Sequence, residues 1–208
     1  QLGLARLEAI KGNLAEANKI VDEVLLKSPR EADAWHFKGD LQRAEQKLPE
    51  ALAAYQKVLE LKPNTASVHA NIIMLQIQDQ KLDLAAKQLA GMQKVAAKQP
   101  LTVYLTALVA FTKKDLAAAS SAVENLLKIQ PDNPQGLQLA GAIAYQKQSD
   151  IQAQDALSKA LKKSPGLDYS RRLLVKSYLR SKQPAKALAT LQPVLQGTAV
   201  PPAWLTLA

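Results

Sequence analysis

The chain has 208 residues, a formal charge of +9, no cysteine and only 4% aromatic residues; alanine, leucine, glutamine and lysine dominate, a vocabulary that favours helices over strands. Without cysteine, disulfides, thiolate metal sites and cysteine nucleophiles are excluded within these residues. The longest apolar stretch, "LTVYLTALVAF" at 101–111, is about half of the roughly 20 residues a membrane span requires, and it reads as a buried helix.

In chain order, residues 1–31 read as part of a helical pair turning at "KGN", followed by five units starting near 32, 66, 100, 134 and 168. Their internal turns are "EQK", "DQK", "KKD", "QSD" and "SKQ". The units show themselves by period. Ala17, Ala51, Ala85, Ala119, Ala153 and Ala187 fall at a constant spacing of 34. Four places after each comes a large apolar residue (Val21, Tyr55, Leu89, Val123, Leu157, Leu191), and three further on another apolar one (Val24, Val58, Met92, Leu126, Ala160, Val194). Positions i, i+4 and i+7 form one stripe of a helix.

Leu14, Leu48, Leu82 and Leu116 recur at the same spacing and read as closing the turn between two helices. Pro29, Pro63, Pro131 and Pro165 mark where the second helix stops, with Ala97 in the equivalent place of the third unit. A constant alanine implies a close helix crossing with room for a methyl group only. Gly39 and Gly141, with Ala5, Ala107 and Ala208 in equivalent places, suggest a second close approach. Pro193 falls inside the last second helix.

A sustained period of 34 residues implies stacked supersecondary units. The pattern resembles the tetratricopeptide repeat (TPR) family, whose signature places are matched by Trp35, Gly39, Ala51, Tyr55, Val58 and Pro63, while His69, Val103, Leu137 and Arg171 replace the signature Trp. The resemblance implies an all-α, right-handed α-solenoid of tandem 34-residue helix-turn-helix repeats. It covers residues 1–208 as a single array: a partial repeat at 1–31, five full repeats, and the start of another at 201–208, where Trp204 stands 169 residues after Trp35. Uncapped apolar ends, Leu4 and Leu7 at one and "AWLTLA" at the other, are those expected of an excerpt from a longer array.

Little here points to catalysis. His36 and His69 are the only histidines, and no glycine-rich phosphate loop, nucleophile elbow or HExxH occurs. Two imidazoles without cysteine or clustered carboxylates make a poor metal site. No enzyme activity, metal or cofactor is therefore expected. The charge is uneven, with 13 basic against 12 acidic residues over 1–97 but 14 against 6 over 98–208. Aromatic stacking platforms and DNA-reading helices have no counterpart, so nucleic acid is not an expected partner.

Stacked repeats present their first helices as a wall. By resemblance to TPR proteins that wall consists of His36, Asp40 and Arg43; Ala70, Met74 and Ile77; Tyr104, Leu108 and Phe111; Gln138, Ala142 and Tyr145; Arg172, Lys176 and Leu179. Its apolar part, Met74, Ile77, Tyr104, Leu108, Phe111 and Tyr145, suits a protein or peptide partner. Leu108 and Phe111 are as well placed for packing between helices as for the groove. Arg172 and Lys176 suit an acidic ligand, for which an acidic polysaccharide is a second candidate.

"YSRRLLVKSYLRSKQPAKALATLQPVL", with "TVYLTALVAFTKKDLAAA" and "LQLAGAIAYQKQSDIQAQDALSKAL", is more narrowly similar to the TPR-repeat lipoproteins of bacterial PEP-CTERM/exosortase and exopolysaccharide systems. This implies a binding scaffold on the periplasmic side of the cell envelope, attached to a membrane only by a lipid anchor outside these residues. The alternatives are a helical arm of a larger enzyme such as a glycosyltransferase, a generic cytoplasmic TPR adaptor, and a structural homo-oligomer.

Overall fold

The computed structural model describes residues 1–195, so the repeat opening expected at 201–208 lies outside the described residues. Twelve α-helices and no strand occur among the described residues: α1 (Leu2–Ile10), α2 (Leu14–Lys27), α3 (Ala32–Ala44), α4 (Leu48–Leu61), α5 (Ala66–Gln78), α6 (Leu82–Ala96), α7 (Pro100–Thr112), α8 (Leu116–Ile129), α9 (Pro134–Gln146), α10 (Asp150–Lys163), α11 (Asp168–Arg180) and α12 (Pro184–Leu195). First helices start at 32, 66, 100, 134 and 168, and second helices at 14, 48, 82, 116, 150 and 184. The 34-residue period of the sequence is thus the period of the backbone. The all-α tandem-repeat class expected from the pattern is the one observed.

Each internal turn is built the same way. Gly12, Gln46, Gln80, Lys114, Gln148 and Lys182 stand in the left-handed region, with φ of 87°, 61°, 57°, 65°, 60° and 57°. Two bonds close each turn. In the second repeat Gln46 N–H donates to the Arg43 carbonyl at 3.1 Å and Lys47 N–H to the Gln42 carbonyl at 2.9 Å. This is the Schellman arrangement, which satisfies carbonyls that the helix end would otherwise leave free. Only the first of the six turns uses glycine, the residue that adopts positive φ without a Cβ clash.

The helix-stopping prolines act as expected. Pro29, Pro63, Pro131 and Pro165 each lie two residues beyond the last residue of a second helix. Where Ala97 replaces proline, helical geometry continues (φ −50°, ψ −41°), and α6 reaches 15 residues against the 14 of α2, α4, α8 and α10. The last second helix, α12, runs through Pro193 to Leu195.

The described helices fall into two compact units, one of α1–α6 (Gln1–Lys98) and one of α7–α12 beginning at Gln99. Within the first, one core joins α1, α2 and α3 through Ala5, Ala17, Val21, Leu25 and Leu41, and the next joins α3, α4 and α5 through Ala51, Tyr55, Val58, Val68 and Ile72. Within the second, Ala107, Ala119, Val123, Leu139 and Ile143 unite α7–α9, while Ala153, Leu157, Leu173 and Leu174 unite α10 with α9 and α11. Each core draws on a helical pair and the first helix of its successor, so stability is a chain of nearest-neighbour terms. At roughly 25 cal/mol per Å² of apolar area, each buried leucine or valine of these layers contributes about 1.5–3 kcal/mol.

The six periodic alanines are all buried, at 0–3% exposure, and so are the six residues four places on, at 0–7%. Three places further, Val58, Met92, Leu126 and Ala160 are buried, whereas Val24 and Val194 are half-buried. The second close approach is also real. A Cβ on Gly39 would meet the Tyr55 ring at 2.5 Å, and one on Gly141 would meet Leu157 Cγ at 2.5 Å.

Candidate functional site

The candidate face is the exposed side of the first helices, and each unit holds its own part. In the first unit, α3 carries His36, Asp40 and Arg43. The His36 ring meets the buried Tyr55 ring edge-on, with centroids 5.8 Å apart, and its Nε2 accepts from Asn71 Nδ2 at 3.3 Å. Tyr55 donates its hydroxyl to Asp40 at 2.6 Å. Burial, then the Asp40 carboxylate, push that hydroxyl well above the usual phenol range. Arg43 stands 3.8 Å from Asp40. On α5, Met74 is exposed at 45% and Ile77 is half-buried, while Ala70 is buried and offers nothing to a ligand.

In the second unit, Tyr104, Leu108 and Phe111 lie at i, i+4 and i+7 of α7, half-buried against the core formed with α8 and α9. Burial raises the Tyr104 hydroxyl above its ordinary value. Tyr104 also lines an open cleft of about 380 Å³ with Leu101, which is 44% exposed, and with Gln130, Asn133 and Gln135. On α9, Ala142 is buried and Gln138 accepts from Ser170 at 2.9 Å.

Tyr145 is occupied. The Arg180 guanidinium lies 3.9 Å from its ring centroid and donates to its carbonyl at 3.1 Å. Arg180 is in turn held by Asp150, with Nη2 at 2.7 Å and Nε at 2.9–3.0 Å from the carboxylate oxygens. Those bonds, chiefly, depress the Asp150 carboxyl, which also accepts from Ser177 Oγ at 2.6 Å. On α11, Arg172 and Lys176 flank a shallow cleft of about 120 Å³ with Tyr169 and Leu173. Neither cation has an ion-pair partner among the described residues, which makes them available to an anion.

One regularity has no counterpart in the expectations from sequence. Trp35 Nε1 donates to the Pro29 carbonyl at 2.8 Å, His69 Nε2 meets the Pro63 carbonyl at 3.0 Å, and Arg171 Nη2 donates to the Pro165 carbonyl at 2.6 Å. By residue type His69 and Arg171 depart from the signature Trp, yet all three side chains supply the same N–H, which reaches back six residues to the inter-repeat proline. Since a carbonyl only accepts, His69 carries its proton on Nε2, and its Nδ1 accepts from Gln88 at 2.8 Å. Val103 and Leu137 occupy the place without a donor. The two histidines are thus engaged separately. Among the described residues no group of three or more His, Asp or Glu could hold a metal ion, and no helix is long and apolar enough to cross a membrane.

A family model described as TPR repeat matches residues 39–72, one full period spanning the second half of α3 through the first half of α5. The chain is also similar to the solved APC/C hetero-tetramer Cut9–Hcn1 (TM-score 0.85, 20% identity, 99% of this chain and 41% of that one). The fold is that of a tetratricopeptide-repeat array. Two further solved structures are similar to the chain: PilW, a widely conserved type IV pilus biogenesis factor (TM-score 0.81, 13% identity, 98% and 96% covered), and a tetratricopeptide repeat protein from Parabacteroides merdae ATCC 43184 (TM-score 0.78, 14% identity, 95% and 78% covered). The chain thus spans less than half of the Cut9–Hcn1 chain it matches. The sequence matches none of the curated proteins with which it was compared.

Proposed function

We propose that this TPR array is a non-catalytic scaffold whose first-helix faces bind a protein or peptide partner, with Met74 and Ile77 in one unit and Tyr104, Leu108, Phe111, Arg172 and Lys176 in the other as contacts, Tyr145 being covered by Arg180. The observation that carries this reading is the half-buried aromatic and aliphatic row of α7 beside an open cleft. Rigid aromatics that are already partly packed lose little entropy on binding and make good anchors.

The narrower reading is a segment of a cell-envelope lipoprotein that serves exopolysaccharide export or PEP-CTERM/exosortase-linked surface assembly. Its support is the likeness of residues 169–195 to that lipoprotein family, together with the unpaired cations of α11, which suit acidic polymers. PilW, with the same fold, is itself a pilus biogenesis factor. Mass spectrometry of the N-terminus of the full-length protein, purified from a native membrane fraction, tests the placement. A diacylglyceryl-modified cysteine is the expected result. An unlipidated, unprocessed terminus would return the protein to the class of cytoplasmic adaptors while leaving the binding role intact.

A further inference from the structure

Between α4 and α5 lies a cleft of about 150 Å³ walled by Leu48, Pro49, Leu52 and Leu75, with Gln76 in its lining and the Asp79–Lys81 ion pair beside it. Gln76 is 8% exposed, and its Oε1 is buried with no hydrogen-bond partner. A buried amide oxygen left unpaired costs on the order of 1–3 kcal/mol, so the position calls for a donor.

The neighbouring repeat shows which group can stand beside this glutamine, although it brings no donor to the glutamine oxygen. One period earlier, Leu14, Gln42, Glu45 and Lys47 correspond to Leu48, Gln76, Asp79 and Lys81, and the ion pair recurs (Glu45–Lys47 at 2.8 Å, Asp79–Lys81 at 2.6 Å). There Asn18 from α2 inserts a carboxamide. Gln42 Nε2 donates to Asn18 Oδ1 at 3.1 Å, and Asn18 Nδ2 donates to Glu45 Oε1 at 2.9 Å and to the Leu14 carbonyl at 3.0 Å. Gln42 Oε1 stays unpaired. At the second interface Leu52 stands in the place of Asn18: the wall is apolar, the Gln76 amide has lost its partner, and space remains. By contrast, a cleft of about 210 Å³ between α8 and α9 has Ser120 and Ala144 at the corresponding places and no orphaned buried polar atom.

We propose that the α4–α5 cleft is a binding subsite for the side-chain carboxamide of an asparagine or glutamine presented by a partner polypeptide. A carboxamide offers its oxygen to Gln76 Nε2, as Asn18 does to Gln42, and in addition brings an N–H to Gln76 Oε1, the bond that the neighbouring repeat lacks; its methylene carbons rest on Leu52 and Leu75. A space of 150 Å³ far exceeds the roughly 10–15 Å³ that one water needs. The subsite uses none of the residues assigned to the first-helix faces, so either can fail without the other.

The test is NMR of the labelled chain, following the Gln76 side-chain amide and the Leu52 and Leu75 methyls. The probe is acetyl-Ala-Asn-Ala-N-methylamide, whose only primary carboxamide is the asparagine, with the leucine tripeptide as control. Saturable shifts with the asparagine peptide are expected, about tenfold weaker with leucine, as for the loss of one buried hydrogen bond. Leu52→Asn, which supplies the carboxamide from within, and Gln76→Leu, which removes the orphaned group, should each abolish them. Either variant alone suffices should the other fail to fold. Absence of saturable shifts up to tens of millimolar, or equal shifts with both peptides, would overturn the proposal and assign the cleft to water.

Discussion

At the scale of single residues, glycines that look alike in the sequence have opposite roles. Gly39 and Gly141 each sit against a fully buried side chain, Tyr55 or Leu157, and an added methyl would lie 2.5 Å from it. The Tyr55 ring is in turn tied to Asp40, so it has little freedom to retreat. Gly39→Ala should lower stability to urea by about 1–3 kcal/mol through overpacking, more than the gain of about 1 kcal/mol in helix propensity. Gly91 lies inside α6, and its added methyl would meet only the His69 ring, at an ordinary 3.4 Å. Gly91→Ala should therefore stabilise the chain by about 0.5–1 kcal/mol. Equal effects of the two substitutions on the urea midpoint would show that propensity, not packing, governs these helices.

At the scale of elements, what was legible in the sequence was whatever recurs as a residue type. Six alanines, four leucines and four prolines carried the starts of the helices and the ends of the second helices to within two residues, because steric fit and the missing proline N–H act through identity. The bond to the inter-repeat proline was not legible, since Trp35, His69 and Arg171 share only a reachable N–H. Nor was the cover over Tyr145, which depends on Arg180, 35 residues away, being held by Asp150. The turns were visible as polar triplets, but their left-handed residue was not, because five of the six are glutamine or lysine. That conformation costs a non-glycine residue about 1–2 kcal/mol. Gln46→Gly, after the entropy glycine adds to the unfolded chain, should raise stability by about 0.5–1 kcal/mol, measured as a shift in urea midpoint at constant slope. The α10–α11 junction has a pH signature. Because the Arg180 hydrogen bonds depress the Asp150 carboxyl in the folded state, its contribution is present above the unfolded value of about 3.9 and fades as pH falls through the folded one. The gap in urea midpoint between the parent and Asp150→Asn should be constant from about pH 7 to 5 and narrow below about 4. A gap of unchanged size at pH 3 would mean that the carboxylate's charge plays no part.

At the scale of the whole molecule, the decisive feature is where the charge is left uncompensated. Residues 98–208 hold 14 basic and 6 acidic residues, and among those acids Asp132, Asp150 and Asp155 are already taken by Lys163, Arg180 and Lys159. The surplus falls on side chains such as Arg172 and Lys176, which share a cleft on one face of α11. Uncompensated charges of this kind raise the local concentration of an oppositely charged polymer and do so only while salt is low, since the screening length falls from about 30 Å at 0.01 M to about 3 Å at 1 M. Reversing Arg172 and Lys176 to glutamate removes two charges at each position and takes the formal charge from +9 to +5. Affinity for an acidic polysaccharide such as alginate, measured by calorimetry at low ionic strength, should fall by about tenfold or more in the double variant, and the difference should vanish near 1 M salt. A peptide held by the α7 row behaves otherwise: its binding persists at high salt and is lost on Tyr104→Ala, because burial of apolar area is not screened. The two salt dependences therefore separate the acidic-polymer reading from the peptide reading on the same protein. Alginate binding left unchanged by the charge reversal would remove the α11 cations from the site.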